Sequence, residues 1–349
     1  MKNIFLFLAL SLLPLAAAAQ GINFEELTLD AALAKAKLEN KHVFIDGYTA
    51  WCGPCKMMDA EIFPMKEIGD YFNPRFVCVK YDMERSDDGK ALGERFGVKA
   101  YPTFIILDSD NEMRHLFAGG ILSLEFIDKV NVAFNGEKAF GNLQKRYEAG
   151  ERDKKLVSAY IQALQGTYTR DVKDLVEEFY NSLPDDEKIC EECLFLFDDH
   201  AAFGSERAAF LIANLDKFRA AAGRDKVDEV VRKKYIDRYT RLIRGERPAT
   251  VETVEELRGQ TAAMNLSGTG VLAIYETATL VKAGQDDGRA LLEMIKAAAP
   301  LAKPAEVDML LYTLLSHLKD TWDKETLDEL LSLVSNDRAR DYIRSSARL

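Results

Sequence analysis

The sequence predicts an α/β domain with a mixed sheet, followed by an all-α domain of helical hairpins. Short apolar runs at 42–46, 76–81 and 103–107 have the length and composition of strands, and helical patterns separate them. After residue 136 the apolar residues recur at helical spacing, with Gly and Pro between the segments. The 349 residues suffice for two domains, each with its own core.

Composition and charge exclude several classes of protein. The chain is 48% hydrophobic and 30% charged, which is typical of a globular protein. A net charge of −11 argues against a nucleic-acid binder, which would show a basic stripe. Five cysteines are too few for a disulfide scaffold. No stretch after the N-terminal 19 residues is long and apolar enough to cross a bilayer, so we expect a protein that is not membrane-embedded.

Residues 1–19 have the pattern of a secretory signal peptide. Lys2 provides a basic start, an apolar core runs from Ile4 to Leu15, and Ala17–Ala19 fits a cleavage site. The alternative is an uncleaved membrane anchor, but the apolar run is too short to span a bilayer comfortably. We therefore expect an exported protein, in the periplasm or secreted, whose compartment permits disulfides.

Residues 20–136 predict the order helix, strand, helix, strand, helix, strand, strand, helix. The predicted helices cover 24–39, 55–64, 65–72, 90–96 and 123–133, and the predicted strands cover 42–46, 76–81, 103–107 and 112–118. Asp30 and Ser123 are candidate N-caps, and Gly97 is a candidate C-cap. Pro64 predicts a kink or break in the second helix.

The stretch Trp-Cys-Gly-Pro-Cys-Lys at 51–56 lies between an apolar strand and a helix. The free amides and dipole of a helix N-terminus stabilise an anion, which here is the Cys52 thiolate. Such a position lowers the pKa of a cysteine from about 8.5 to roughly 3.5–7.5. Cys52 is therefore predicted to be the nucleophile, and Cys55, one turn further, the partner that closes the disulfide.

No metal or cofactor is predicted for this domain. A structural zinc site needs a second pair of ligands, and the domain offers only Cys78, His42 and His115. No nicotinamide- or flavin-binding fingerprint is present. Cys78 is predicted to be an inert thiol of the core.

Residues 24–135 resemble thioredoxin. The features that carry the resemblance occur in the family's order: the motif at 51–56, Asp46 before it, Lys80 in the next strand, Tyr-Pro-Thr at 101–103, and Gly119–Gly120. The longer segment after the motif is similar to an exported branch that includes the C-terminal domain of membrane-linked thiol:disulfide interchange proteins. The resemblance implies a thioredoxin fold and thiol–disulfide oxidoreductase activity.

The resemblance also implies roles for individual residues. Asp46, whose pKa burial should raise, would accept the proton of Cys55, and Lys80 would pair with Asp46. The alternative is a solvated Asp at a strand end and a surface Lys. Pro102 is the expected cis-proline, and its turn would expose the backbone of Tyr101 to an extended substrate.

The expected substrate-binding residues share the surroundings of the cysteine pair: Trp51, Gly53, Pro54, Tyr101, Pro102 and Gly119. Tyr101 departs from the smaller aliphatic residue of plain thioredoxin, which leaves the substrate preference open. In the resembled family, a Gly-Pro spacer goes with the reducing end of the range.

Residues 137–349 predict ten to twelve helices joined by short loops, an array that we interpret as tetratricopeptide-like. Cys190 and Cys193 fall on a predicted helix at 186–200. They are either a second redox pair, or two packed core cysteines or a static disulfide. Acidic neighbours and the lack of a shaping Pro or Gly favour the second interpretation.

The sequence thus predicts an exported reductant of protein disulfides whose helical domain selects partners. Its partners would be disulfide-containing client proteins and a membrane-bound thiol electron donor. One alternative is a disulfide oxidase or isomerase that uses the same cysteines. The other is a helical binding scaffold that carries the thioredoxin-like domain as a docking module.

Overall fold

A computed structural model describes residues 21–121, 123–266, 270–285, 288–302, 304–335 and 337–349. The predicted signal peptide lies outside these residues. The chain divides into two compact units, Met1–Ser182 and Leu183–Leu349. Among the helices of the described ranges, none has the length and apolar character that crossing a bilayer requires.

The first unit is built on a mixed sheet. Its strands are β1 (His42–Tyr48), β2 (Phe76–Asp82), β3 (Thr103–Leu107) and β4 (Met113–Ala118). They lie in the order β2-β1-β3-β4; β1 is parallel to β2 and antiparallel to β3, and β3 is antiparallel to β4. The predicted thioredoxin fold is confirmed.

The helices of the first unit are α1 (Leu29–Glu39), α2 (Gly53–Met57), α3 (Lys66–Phe72), α4 (Asp87–Phe96), α5 (Glu125–Asn131), α6 (Phe140–Glu148), α7 (Lys154–Gln165) and α8 (Lys173–Ser182). A π-helical turn at Met58–Ile62 continues α2, and a 3-10 turn at Val132–Phe134 follows α5. The break expected at Pro64 falls between the π-helical turn and α3, because proline lacks the amide that a continuous helix would need.

One face of the sheet is packed with phenylalanine. Phe44 of β1 stacks on Phe104 at 5.8 Å between ring centroids and meets Phe72 edge-to-face at 4.8 Å. Phe126 of α5 lies 6.1 Å from Phe44, and all four rings are fully buried. Because side chains alternate along a strand, Asp46 lies on the same face as Phe44, directly beside this aromatic core.

The structure contradicts one predicted helix cap and confirms another. The prediction of Asp30 as the N-cap of α1 is wrong. Thr28 is the N-cap, and its hydroxyl accepts a hydrogen bond from the Ala31 amide at 3.3 Å. Asp30 lies inside the first turn, beyond the capping position. Gly97 ends α4 in the left-handed conformation, as predicted, with φ of 64°.

The compact unit extends well past residue 136, where the sequence places the end of the thioredoxin-like domain. The reason is that α6 packs on β4. The Phe140 amide donates to Nδ1 of His115 at 3.1 Å. A Cβ at Gly141 would meet the Met113 carbonyl oxygen at 1.9 Å, so only glycine allows this approach. The boundary of the thioredoxin-like domain at residue 136 stays a prediction.

The second unit is helical throughout its described elements, which confirms the predicted class. Its helices are α9 (Phe195–Asp198), α10 (Glu206–Ala213), α11 (Leu215–Ala222), α12 (Arg224–Ile243), α13 (Val251–Ala263), α14 (Gly270–Lys282), α15 (Arg289–Ala298), α16 (Pro304–Leu318), α17 (Lys324–Ser332) and α18 (Asp337–Ala347). Packing joins neighbours along the chain from α9 to α12, from α13 to α15 and from α16 to α18, and α12 also packs on α14 and α16.

The helix predicted at 186–200 is wrong. Residues 185–194 form turns and bends, and α9 covers only Phe195–Asp198. The Cys190 amide bonds to the Lys188 carbonyl, two residues back, so no helical ladder passes this point. The amides of this segment bond instead within tight turns, Glu187 to the Pro184 carbonyl at 3.1 Å and Ile189 to the Asp186 carbonyl at 3.4 Å.

We predict that His115 makes the first unit more stable at neutral than at acidic pH. Burial, with Lys129 nearby, lowers the pKa of His115 from 6.5 to about 4. Its stabilising contribution is therefore complete above pH 6.5 and lost as the pH falls to about 4. In His115→Asn the amide oxygen still accepts from Phe140 but does not titrate. Urea unfolding should show a pH dependence smaller by up to about 3 kcal/mol. Equal pH dependence in both proteins would contradict this.

Candidate active site

The disulfide between Cys52 and Cys55 lies where β1 leads into α2. The two Cα atoms are 5.3 Å apart. Cys52 is the N-cap of α2 in an extended conformation, and its Sγ accepts a hydrogen bond from the Cys55 amide at 3.1 Å. A backbone donor aimed at this sulfur stabilises a thiolate there once the disulfide is reduced.

Both sulfur-bearing residues are recessed. The exposed fraction is 2% for Cys52 and 2% for Cys55, whereas the neighbouring Trp51 is 66% exposed. Gly53 and Pro54 are also exposed. The sequence assigned different roles to Cys52 and Cys55, but accessibility in this disulfide form does not separate them. The surface at the disulfide is therefore formed by the exposed neighbours Trp51, Gly53 and Pro54 and not by Cys52 itself.

The predicted substrate-binding residues come together around this turn. The Trp51 and Tyr101 rings meet edge-to-face at 5.8 Å. The Tyr101–Pro102 peptide bond is cis, and the Gly119 amide donates to the Pro102 carbonyl at 2.9 Å. A Cβ at Gly120 would lie 3.2 Å from Cβ of Pro54, so the chain after β4 closes on the motif.

Glu84 joins the site although the sequence analysis did not select it. The indole Nε1 of Trp51 donates to the Glu84 carboxylate at 3.1 and 3.2 Å. This bond and the edge-to-face contact with Tyr101 together hold the exposed ring. Its position in the sequence could have indicated this role, because Glu84 lies in the charged loop after β2, at the end of the sheet that carries the motif.

Asp46 is a buried carboxyl group with an incomplete set of partners. It is 1% exposed, and its Oδ1 has no hydrogen-bond partner. Oδ2 lies 3.3 Å from Nζ of Lys80, the residue in register with it on β2. Burial raises the pKa of Asp46 to about 6; Lys80 opposes that rise and Asp59 adds to it. Asp46 can therefore hold or release a proton near neutral pH.

Lys80 divides its charge between two carboxylates. Its Nζ makes an ion pair with Asp46 and a closer one with Asp59, which lies in the π-helical turn after α2. The ammonium group also lies 5.1 to 5.2 Å from the ring centroids of Phe24, Tyr48 and Phe63. Asp59 was missed in the sequence because its approach to Lys80 depends on the π-helical turn.

Cys78 has the surroundings expected of an unreactive thiol. It is 1% exposed on the phenylalanine-rich face of the sheet. Burial raises its pKa well above the ordinary value, with Glu25 acting in the same direction. A thiol that stays protonated is a poor nucleophile.

Comparison with known proteins agrees with this geometry. A family model described as thioredoxin-like matches residues 23–109. Thioredoxin-1 of Drosophila melanogaster is 31% identical over 81 residues, which are 23% of this chain and 69% of that protein. For the next relatives the match covers 64% and 60% of their length, so the chain spans about two thirds of the curated relatives it matches.

Two solved structures are also similar. A Bacteroides thetaiotaomicron protein proposed as a disulphide isomerase is 39% identical; the match covers 35% of this chain and 99% of that one, with a TM-score of 0.32. The oxidised C-terminal domain of Neisseria meningitidis DsbD is 24% identical, covering 28% and 85%, with a TM-score of 0.25.

We predict that Asp59→Asn lowers the pKa of Asp46 below about 6. The substitution removes a negative charge that raises this pKa, and it leaves the Lys80 ammonium to Asp46 alone. The carboxyl ¹³C shift of Asp46 as a function of pH measures the effect. Lys80→Met should shift the pKa in the opposite direction.

Asp70→Asn is the matched control, because Asp70 is an exposed carboxylate paired with Lys66 on α3. It should leave the Asp46 titration unchanged. A pKa of Asp46 that stays the same or rises in Asp59→Asn would show that Lys80 and Asp59 do not govern it.

Proposed function

The chain belongs to the thioredoxin superfamily as a thiol–disulfide oxidoreductase, and from this premise we propose that it is an exported reductant of protein disulfides. The observation that carries the proposal is the Cys52–Cys55 disulfide at the start of α2, with the Cys55 amide directed at the Cys52 sulfur. The export step rests on the signal-peptide pattern of residues 1–19.

The reaction begins from the dithiol. The Cys52 thiolate attacks one sulfur of a client disulfide, forms a mixed disulfide, and releases the other client sulfur as a thiolate. Cys55 then loses its proton and attacks the Cys52 sulfur. This releases the second client thiol and leaves the Cys52–Cys55 disulfide seen in the structure. The client gains two electrons and two protons, and the protein loses the same number.

Asp46 is proposed to accept the proton of Cys55. A base for this step should have a pKa near the working pH, and burial gives Asp46 a pKa of about 6. Its Oδ1 is buried and unpartnered, so it retains an acceptor position. Lys80 is proposed to stabilise the ionised form of Asp46 at 3.3 Å, and Asp59 limits that stabilisation by holding the same ammonium.

A client segment is proposed to bind in extended form beside the Tyr101–Pro102 bond. Trp51, Gly53, Pro54 and Gly119 would border it. Two observations support this: the Trp51 ring is exposed but held in place by Glu84 and Tyr101, and no atom lies within 4 Å of a Cβ built at Gly53 or Gly119. A held aromatic ring next to open backbone suits main-chain pairing with a partner.

The oxidised protein must be reduced again before the next cycle. We propose a membrane-bound thiol donor for that step and assign the helical unit to partner selection. The competing functions use the same residues differently: an oxidase or isomerase would pass the disulfide on to clients, and a helical scaffold would use the thioredoxin-like part only for docking.

We predict that Cys52→Ser abolishes the reduction of insulin disulfides with dithiothreitol as donor, down to the rate of dithiothreitol alone. Cys55→Ala should instead accumulate mixed disulfides with clients, because the resolving thiol is absent. Cys78→Ala is the matched control, since Cys78 is buried away from the pair in the core. Insulin reduction that persists in Cys52→Ser would favour the scaffold with a docking module.

We predict a reduction potential for the Cys52–Cys55 pair near that of thioredoxin, about −270 mV. Equilibration with glutathione, followed by alkylation and mass measurement, gives the value. A potential above roughly −180 mV lies in the range of disulfide isomerases and oxidases. Such a value would contradict the proposed reductant and favour an oxidase or isomerase.

A further inference from the structure

A second pair of cysteines lies in the helical unit, in the turns that precede α9. The sulfur of Cys190 donates a hydrogen bond to the Glu187 carbonyl oxygen at 3.5 Å, and the sulfur of Cys193 donates to the same oxygen at 4.0 Å. Because one oxygen accepts from both thiols, the two sulfurs lie around the same carbonyl group.

The two cysteines have the sequence spacing that closes a disulfide elsewhere in this chain. Cys190 and Cys193 have the same spacing as Cys52 and Cys55, whose Cα atoms are 5.3 Å apart, inside the range that disulfides adopt. The chain bends and turns over residues 189–194, and the Leu194 amide bonds to the Glu191 carbonyl at 3.1 Å. No helical ladder has to break for the sulfurs to approach each other.

The two thiols differ in accessibility. Cys190 is half-buried, whereas Cys193 has an exposed fraction of 0%. Ile189, directly before Cys190, lines an open groove of about 740 Å³ together with Phe210 and Lys217. Because Cys190 is partly exposed and Cys193 is not, a second molecule can approach Cys190 and not Cys193.

Charge around the pair is less unfavourable than the sequence suggests. Glu191 follows Cys190 directly, but its carboxylate is paired with the ammonium of Lys226 on α12. Asp185 is paired with Lys188 at 2.8 Å. These pairs reduce the repulsion that unpaired carboxylates would exert on a thiolate at Cys190.

We propose that Cys190 and Cys193 form a second, reversible dithiol–disulfide couple in the helical unit, with Cys190 as the attacking thiol and Cys193 as the resolving thiol. This couple goes beyond the proposed function and does not depend on Cys52 or Cys55. The interpretation that the sequence favoured, packed core cysteines or a static disulfide, is the competing one.

The step balances with a disulfide as the oxidant. The Cys190 thiolate attacks one sulfur of the disulfide, and the other sulfur leaves as a thiolate. The Cys193 thiolate then attacks the Cys190 sulfur, forms the 190–193 disulfide, and displaces the second thiolate. Two electrons pass to the attacked disulfide, and the two thiol protons end on the released thiolates or in water.

The test uses the full chain with Cys52→Ser and Cys55→Ser, so that it reads the second pair alone. The folded protein is equilibrated at graded ratios of reduced to oxidised glutathione, quenched with acid, and alkylated in denaturant. Peptide mapping by mass then quantifies the 190–193 linkage. We expect both thiols to be lost together as the buffer becomes oxidising and recovered together when it becomes reducing. The buried Cys78 stays alkylated throughout as an internal control.

Single substitutions test the assigned order. Cys193→Ser should accumulate a mixed disulfide of Cys190 with glutathione, and Cys190→Ser should form little adduct at the buried Cys193. The wild-type chain is titrated in parallel, so that a folding defect of the double variant does not decide the result. Three results would each overturn the proposal. Cys190 and Cys193 could remain alkylated at every glutathione ratio, or their linkage could form only in urea. The linkage could also form but not be reversed by reduced glutathione.

Because the readout comes from peptides that contain residues 190 and 193, its failure is separate from failure of the proposed function. If the chain reduces insulin through Cys52 but never links Cys190 to Cys193, the proposed function stands and the second redox couple is contradicted. The reverse result would leave a redox couple in the helical unit beside an inactive thioredoxin-like site.

Discussion

The pairing of β1 with a strand on each side is the constraint on which the candidate site depends. β1 runs parallel to β2 and antiparallel to β3, so its backbone is fixed along both edges. This places Asp46 beside Lys80 and carries the chain directly into the Cys52 turn. β3 begins at Thr103, directly after the Tyr101–Pro102 bond, and it reaches the same end of the sheet because it pairs with β1. The strand register therefore assembles residues that are far apart in sequence.

Electrostatics at this end of the sheet follow from burial. A carboxyl group next to the phenylalanine core is costly to ionise, and a single ammonium shared by two carboxylates compensates only in part. The result is a titrating group near neutral pH, where a proton acceptor for a thiol is useful. The neighbouring Cys78 shows the other outcome of burial: without a nearby cation of comparable effect, its thiol stays protonated.

The helical unit repeats the Cys-x-x-Cys spacing in a different physical setting. Cys52 caps a helix and accepts a hydrogen bond from the Cys55 amide, whereas Cys190 and Cys193 lie in turns and donate to a carbonyl oxygen. A backbone donor favours the thiolate, and a backbone acceptor favours the thiol. Equal spacing thus gives two pairs that are expected to differ in reactivity, with the second the weaker nucleophile.

The sequence by itself determined the α/β domain, the helical class of the second part and the motif at 51–56. These depend on apolar periodicity and on short-range motifs, which one chain displays directly. The pairing of Asp46 with Lys80 was expected only from the resemblance to thioredoxin. The tertiary structure alone decided that Asp59 competes for Lys80, that Glu84 holds Trp51, that Thr28 rather than Asp30 caps α1, and that α6 packs on β4. Apart from the Thr28 cap, these contacts join segments that periodicity does not relate. The π-helical turn and the glycine at 141 that permit two of them acquire meaning only when the opposing strand is in place.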